Sequence, residues 1–535
     1  MNASSRQFEG ILDRHFETLL ERQPIFATYA GLKSGEGQLG VVGQAFETQL
    51  EKQRASTLRA LESVSPRELS NEQHLDRLAL RTQLLRESED HARGRRAMDP
   101  SALDALLNLL LHELQRGDGE PKRAASNIRS LLRQAPDYLD ASLELLQHPE
   151  PVWQRILDRT FQGSSSLFEA VATFLKQHDA KTNNTPLIQT ATRASARYHK
   201  GVMHLTPAPA GSFAIGEPTL ARRVRDELGL DYSLGSIESL AQAEAERIGQ
   251  ELALACRRFG KQKSAHAIIT EMREAWNPGN DLLGVYRTET QRVADGFRAA
   301  GAVTFPQGES LEVRMVPEFM RHLYPTAAYS SPGPFAKKQR GIFWVNDLSL
   351  TQSSEAAKLR ERQQHFGLSL TCAHEAYPGH HLQFIFANQH PRRWRRLFAH
   401  AVFYEGWTLW CEQMMVDLKI DRSPWLAVQQ LHDALWRAHR ILVDLRLQSR
   451  RYSYEQATRH MQKHLGFTRA RAEADVNWYT GSPGVPMSYW LGRLENERLS
   501  RRLINGRGWS LQRFNDWLLS FGTLPQSWIE KYGLD

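Results

Sequence analysis

Cysteine is scarce: only Cys256, Cys372 and Cys411 occur in 535 residues. They lack paired zinc spacing, which speaks against a zinc-finger site, and they suit a reducing compartment. Long apolar runs are absent too, since nothing approaches the run of about 20 residues that spans a bilayer. The N-terminal stretch MNASSRQFEGILDRHFETLLERQP carries charges throughout and holds no apolar core of signal-peptide length. The expectation is a cytoplasmic protein with no membrane insertion. There is no G-x-S-x-G elbow, no G-x-x-x-x-G-K-[ST] loop and no G-x-G-x-x-G after a strand, so serine-nucleophile, nucleotide and dinucleotide chemistries lack their anchors. Charge of one sign is also modest, with 68 Lys and Arg against 60 Asp and Glu. The densest basic cluster, Arg392-Arg393-Trp394-Arg395-Arg396, has no recognition motif beside it, reads as a solvated face and gives no support to nucleic-acid binding.

What is present is a helical pattern. With 41% hydrophobic and 24% charged residues, the chain is long enough for a large core or for two lobes around a cleft. Apolar residues recur at helical spacing over 70–93 and 101–116, and further helices are expected near 137–147, 152–178, 238–260, 285–300, 367–388, 397–418 and 424–448. Strand signals are few: 311–316 alternates, and 341–346 is short, apolar and bounded by turn formers. Residues 207–218 and 329–338 are expected to be exposed loops. The fold class is therefore mainly α with a small β-sheet just before residue 367.

The chemistry concentrates in His374-Glu375-Ala376-Tyr377-Pro378-Gly379-His380-His381, which places three imidazoles and a carboxylate within two helical turns. In the zinc-protease signature H-E-x-x-H, histidines four apart share a helix face and converge on one ion, while the adjacent Glu faces its water. Here the fourth position is Pro378, and His380 and His381 fall six and seven residues on. At about 100° per residue a regular helix turns His380 roughly 240° away from His374. Pro378 lacks a donor and its ring clashes with the carbonyl four residues back, while Gly379 tolerates unusual backbone angles. Pro378-Gly379 thus reads as a bulge that returns His380 to the face of His374. His381, the competing ligand, is nearly in phase but roughly 10.5 Å along the axis, a long reach when each donor must approach zinc to about 2.1 Å.

A third ligand is available at Glu405, in Tyr404-Glu405-Gly406-Trp407-Thr408-Leu409-Trp410-Cys411-Glu412. That segment is apolar on most sides, so its carboxylate needs a partner, and a cation serves. Glu412, near the same face, is a candidate outer acceptor for a ligand imidazole. The plain alternative is that Glu405 pairs with an arginine and the histidines satisfy core hydrogen bonds.

HEAYPGHHLQ followed by YEGWTLWCE resembles the bacterial family known as domain of unknown function 885, commonly grouped with the H-E-x-x-H metallopeptidases. FETLLERQPIFATYAGL, GEPTLARRVRDELGLDYSLGSIESL, RGIFWVND and PGVPMSYWLG are similar to its other landmarks, so the resemblance covers nearly all of 1–535 as one unit. It implies a zincin-like architecture, with a helical N-terminal lobe (1–200) and a metal-binding lobe (201–535) around a cleft. It also implies Zn2+ held by His374, His380 and Glu405, with Glu375 as general base. Two positions depart from the family pattern: Gln448 stands where many relatives have His, and Trp478 where they often have Arg.

The expected activity is hydrolysis of a peptide or small amide, with Glu375 deprotonating the attacking water. By the resemblance, and because a phenol can donate to an oxyanion, Tyr489 is the candidate stabiliser of the tetrahedral intermediate. Its alternative role is a core aromatic beside Trp490. His439 and Arg440 are candidates for binding a substrate carboxylate, and Gln448 for contacting substrate. The strand around Trp344, residues 341–347, is expected to offer an edge to an extended peptide. Two other readings stay open: a non-peptide amide or specialised metabolite as substrate, and a non-catalytic scaffold that keeps the metal helix for stability.

Overall fold

The computed structural model describes residues 2–116, 119–260, 263–317, 321 and 326–534. The chain divides into two compact units, Met1–Phe213 and Ala214–Asp535.

The first unit is helical in its described residues. Its longest helices are Ala3–Arg22, Asn71–Ala92, Pro121–Leu145, Pro151–His178 and Thr185–His204. Asn71–Ala92 begins with a capping box, in which Ser70 and Gln73 satisfy each other's free backbone N–H groups. Pro121 and Pro151 open their helices at the first position, where a missing N–H costs nothing. Pro121–Leu145 starts well before the expected 137–147. Pro136 lies inside it, and burial of Ile128, Leu131, Leu132, Ala135 and Leu139 along one face outweighs the lost hydrogen bond.

The second unit contains a three-stranded sheet. Strand β1 (Ser310–Met315) runs parallel to β3 (Arg340–Val345), β2 (Ala327–Ser330) runs antiparallel to it, and the order is β1-β3-β2. Both expected strands are present. The third, β2, begins in front of the expected loop 329–338 and overlaps it. Because β3 is paired on both sides, residues 341–347 do not form an edge, and this corrects the sequence reading. Trp344 is correspondingly buried, with its indole N–H donated to Ser330 Oγ at 2.9 Å, so it offers no group to a peptide. Strand addition is open only to β1 or β2, the two edges among the described residues.

The core of this unit is built by the helices Ala401–Asp417, Leu426–Gln448 and Val485–Ser500. Val402, Leu409, Ile441, Leu445, Met487 and Trp490 meet in one apolar cluster. The Ala401–Asp417 helix buries Phe403, Trp407 and Met415 as well. Each large apolar side chain contributes about 1.5–3 kcal/mol when removed from water, enough to hold Glu405 and Glu412 inside. No described helix is long and apolar enough to cross a membrane.

Candidate metal centre

The segment carrying the three histidines is not one regular helix. A short α-turn, Leu368–Thr371, widens into a π-turn over Cys372–Ala376, and a regular helix resumes at His380–Asn388. The irregularity required by the His374 to His380 spacing is therefore present and starts earlier than Pro378. The Tyr377–Pro378 peptide bond is cis. Two contacts hold the bend. The Trp407 indole donates to the Pro378 carbonyl at 2.8 Å, and Gly379 lies so close to the preceding turn that a Cβ there would sit 1.8 Å from the His374 carbonyl oxygen.

This bend brings His374, His380 and Glu405 together: one ligand atom from each lies within 4.8 Å of the others. Glu405 Oε2 is 3.8 Å from His374 Nε2 and 3.6 Å from His380 Nε2. Donor atoms around a tetrahedral zinc stand about 3.4 Å apart. Glu405 Oε2 is moreover buried with no hydrogen-bond donor, an arrangement a cation would relieve. Two imidazoles and one carboxylate are also a donor set that zinc accepts at catalytic sites. The residues thus fit a divalent metal in spacing, burial and chemistry.

The surroundings orient each donor. His374 Nδ1–H donates to Glu412 Oε1 at 2.8 Å, which leaves the Nε2 lone pair facing Glu405 and His380. Burial alone would lower the His374 pKa, but Glu412, Glu375 and Glu405 together raise it. Burial likewise works against the Glu405 charge, and the two histidines overcome it and lower its pKa. The His380 ring is packed between Phe384 and Tyr404. Glu375 follows His374 on the π-turn and makes no hydrogen bond to the described protein; its charge is felt by His374, Tyr286 and Tyr329.

His381 is turned away from this group. It is fully buried, with Nε2 2.8 Å from Glu309 Oε2 and Nδ1 3.1 Å from the Tyr329 hydroxyl, and Tyr377 also donates to Glu309 at 2.7 Å. The structure brings His380, and not His381, to Glu405, since both nitrogens of His381 are engaged elsewhere. Glu309 and Tyr329, which make this supporting shell, carry no local signal: they lie more than 50 residues before His381 and meet it only through the sheet.

Tyr489 sits beside Glu405. Burial first, and then the Glu405 charge, push its phenol well above the ordinary range, so it stays a proton donor. Its position depends on an unusually close helix crossing. A Cβ at Gly406 would stand 2.5 Å from the carbonyl carbon of Gly492, and one at Gly492 would stand 1.9 Å from the Val402 carbonyl oxygen. Only glycine at both positions lets the Glu405 and Tyr489 helices approach so far.

The remaining candidates divide. Arg440 joins the neighbourhood, with Cζ 4.6 Å from the Tyr489 ring. Gln448 does not: it is fully buried, its Oε1 accepts from Ile215 N at 3.3 Å and its Nε2 donates to the Tyr479 carbonyl at 2.8 Å. Both ends of that amide tie chain segments together, so neither is left for the expected substrate contact. Cys372 and Cys411 are buried, and burial raises both thiol pKa values, which makes them inert packing groups.

His439 faces His460 instead, Nδ1 to Nε2 at 3.0 Å, with the His464 ring against both. Burial, reinforced by neighbouring histidines and Arg446, lowers His439 to about 4 and His460 to about 3. The fold therefore keeps both neutral while the unfolded chain protonates them near 6.5. Their contribution to stability is complete above pH 6.5 and is lost as pH falls from 6.5 towards 4, by about 3 kcal/mol for a shift of this size in one group. Melting temperatures measured across pH 4–7 are expected to fall on the acid side, and to fall less steeply in His460→Gln. Identical slopes for the two proteins would count against this assignment.

Two solved structures share the fold. One, a "putative lipoprotein of unknown function" from Shewanella oneidensis, superposes with a TM-score of 0.76 at 19% identity, covering 99% of this chain and 100% of that one. The other, a "putative lipoprotein" from Colwellia psychrerythraea, gives 0.70 at 19% identity and 99% coverage of each chain. No curated protein matches the chain. The family described as bacterial protein of unknown function (DUF885) matches residues 24–532, nearly the full length. The chain belongs to the DUF885 family.

Proposed function

We propose that this protein is a zinc-dependent hydrolase that cleaves peptide bonds, with a zincin-like catalytic arrangement. The observation that carries the reading is the convergence of His374 Nε2, His380 Nε2 and the unpartnered Glu405 Oε2, next to a Glu375 that bonds to nothing else in the described protein. A zinc ion held by these three groups would supply Lewis acidity and lower the pKa of water towards about 7. Glu375 takes the proton as water adds to the carbonyl carbon, and passes it to the departing amine. The Tyr489 phenol, kept protonated, donates to the oxygen that gains charge. Glu412 holds His374 in one tautomer, and Glu309 with Tyr329 keeps His381 out of the site.

Incubating zinc-loaded protein with a mixed peptide library, before and after chelation, tests this reading. Chelator-sensitive cleavage is the expected result. No cleavage at full zinc occupancy would overturn it in favour of a non-peptide substrate or a scaffold.

A further inference from the structure

Arg440 lies on the Leu426–Gln448 helix and is only 6% exposed. Its Nε and Nη1 are enclosed and make no hydrogen bond. Buried guanidinium groups are normally paired with a carboxylate, because an unsatisfied charged donor is costly. The nearby carboxylate of Asp475 is committed elsewhere: Oδ2 accepts from the Trp436 indole at 2.9 Å and from the Tyr479 hydroxyl at 3.4 Å, and Oδ1 faces Arg471 at 3.9 Å.

Aromatic rings hold the charge in place of an acid. Arg440 Cζ lies 4.0 Å from the Trp436 ring, 4.6 Å from Tyr489, 5.3 Å from Trp478 and 5.8 Å from Tyr479. Such contacts stabilise a cation through the ring faces without using its N–H groups; the guanidinium bonds the Tyr479 side chain, and Nε and Nη1 keep no partner. The result is a fixed guanidinium in which Nε and Nη1 lack partners, each able to give one charge-assisted hydrogen bond to a carboxylate oxygen. Trp478 is the most exposed of the four rings, at 37%. Its ring stands perpendicular to Tyr489 at 6.2 Å.

The position relative to the candidate metal centre sets the role. Tyr489 touches Arg440 on one side and neighbours Glu405 on the other, and the Glu405 charge reaches Arg440. One phenol thus separates the guanidinium from the candidate metal ligand Glu405.

We propose that Arg440 receives the C-terminal carboxylate of the substrate, so that the protein acts on the end of a peptide, or on a short peptide, with a free carboxyl terminus. This inference rests on the hydrolase reading of the same site, but the anion site can be measured without turnover. The test is calorimetric titration of metal-free and zinc-loaded protein with N-acetyl-L-phenylalanine and with its carboxamide, accompanied by cleavage of an acylated dipeptide and its C-terminal amide.

The acid is expected to bind at least about 10-fold more tightly than the amide in both forms of the protein, a difference of the size expected for a hydrogen-bonded charge. Arg440→Gln should erase that preference and Arg440→Lys should keep part of it. The acid dipeptide should be cleaved with a similar advantage in kcat/KM. Equal binding of acid and amide by the metal-free wild type would overturn the proposal without need of any variant. A preference that survives Arg440→Gln, or that exists only with zinc, would also overturn it, the latter by placing the carboxylate on the metal. Should neither dipeptide be cleaved while the metal-free preference stands, the anion site is supported and the hydrolase reading fails.

Discussion

Replacing Glu375 with Gln is expected to lower kcat/KM for peptide cleavage by about 10²–10⁴-fold while leaving the zinc content at one ion per chain. The argument is local. Glu375 sits on the π-turn next to His374 but is not one of the three groups that converge, so its loss leaves the donor set intact. It also makes no hydrogen bond to the described protein, so the amide costs the fold little. Gln has nearly the same shape but no basic oxygen, and the attacking water loses its proton acceptor. Measuring turnover and metal content on the same preparation separates this from a structural effect. Normal turnover in the variant would show that another group is the base.

The second large effect is expected at Gly492, which has no side chain of its own. An alanine there places its Cβ 1.9 Å from the Val402 carbonyl oxygen, and a backbone atom cannot swing aside as a side-chain tip can. The Glu405 and Tyr489 helices must move apart, opening the apolar cluster of Val402, Leu409, Met487 and Trp490. Overpacking of this kind costs typically 1–3 kcal/mol and more when backbone must shift, so Gly492→Ala is expected to lose about 3 kcal/mol in urea unfolding. Its zinc affinity should fall as well, because Glu405 moves with its helix. A variant with wild-type midpoint and affinity would mean that the crossing tolerates separation.

How much of this was readable beforehand depends on how local each signal is. The convergence of His374, His380 and Glu405 could be anticipated because residue types and spacing within two short segments carry it, and Pro378-Gly379 announces an irregular helix. That the widening begins at Cys372 could not, because the Trp407 indole that grips the Pro378 carbonyl comes from another helix. Glu412 was visible as a second carboxylate on the face of Glu405, whereas Glu309 reaches His381 from a loop ahead of β1 and has no motif. The sheet misled for a physical reason. Ala-Ala-Tyr-Ser is too short to alternate, so β2 went unseen and β3 looked like an edge. Gln448 misled because polar residues on a buried helix face suggest a ligand site, when this amide closes chain segments around Ile215 and Tyr479. Pro136 hid the first half of a long helix, since an interior proline is tolerated only where burial on the opposite face is large.

Zinc binding by the purified protein, followed by equilibrium dialysis for the wild type and for His374→Ala, His380→Ala, Glu405→Ala and His381→Ala, addresses the core of the account. One ion per chain is predicted for the wild type. The first three variants should lose it at concentrations that saturate the wild type, while His381→Ala, folded and with its Glu309 contact removed, should retain it. Full occupancy in His380→Ala or Glu405→Ala, or loss confined to His381→Ala, would contradict the site described above.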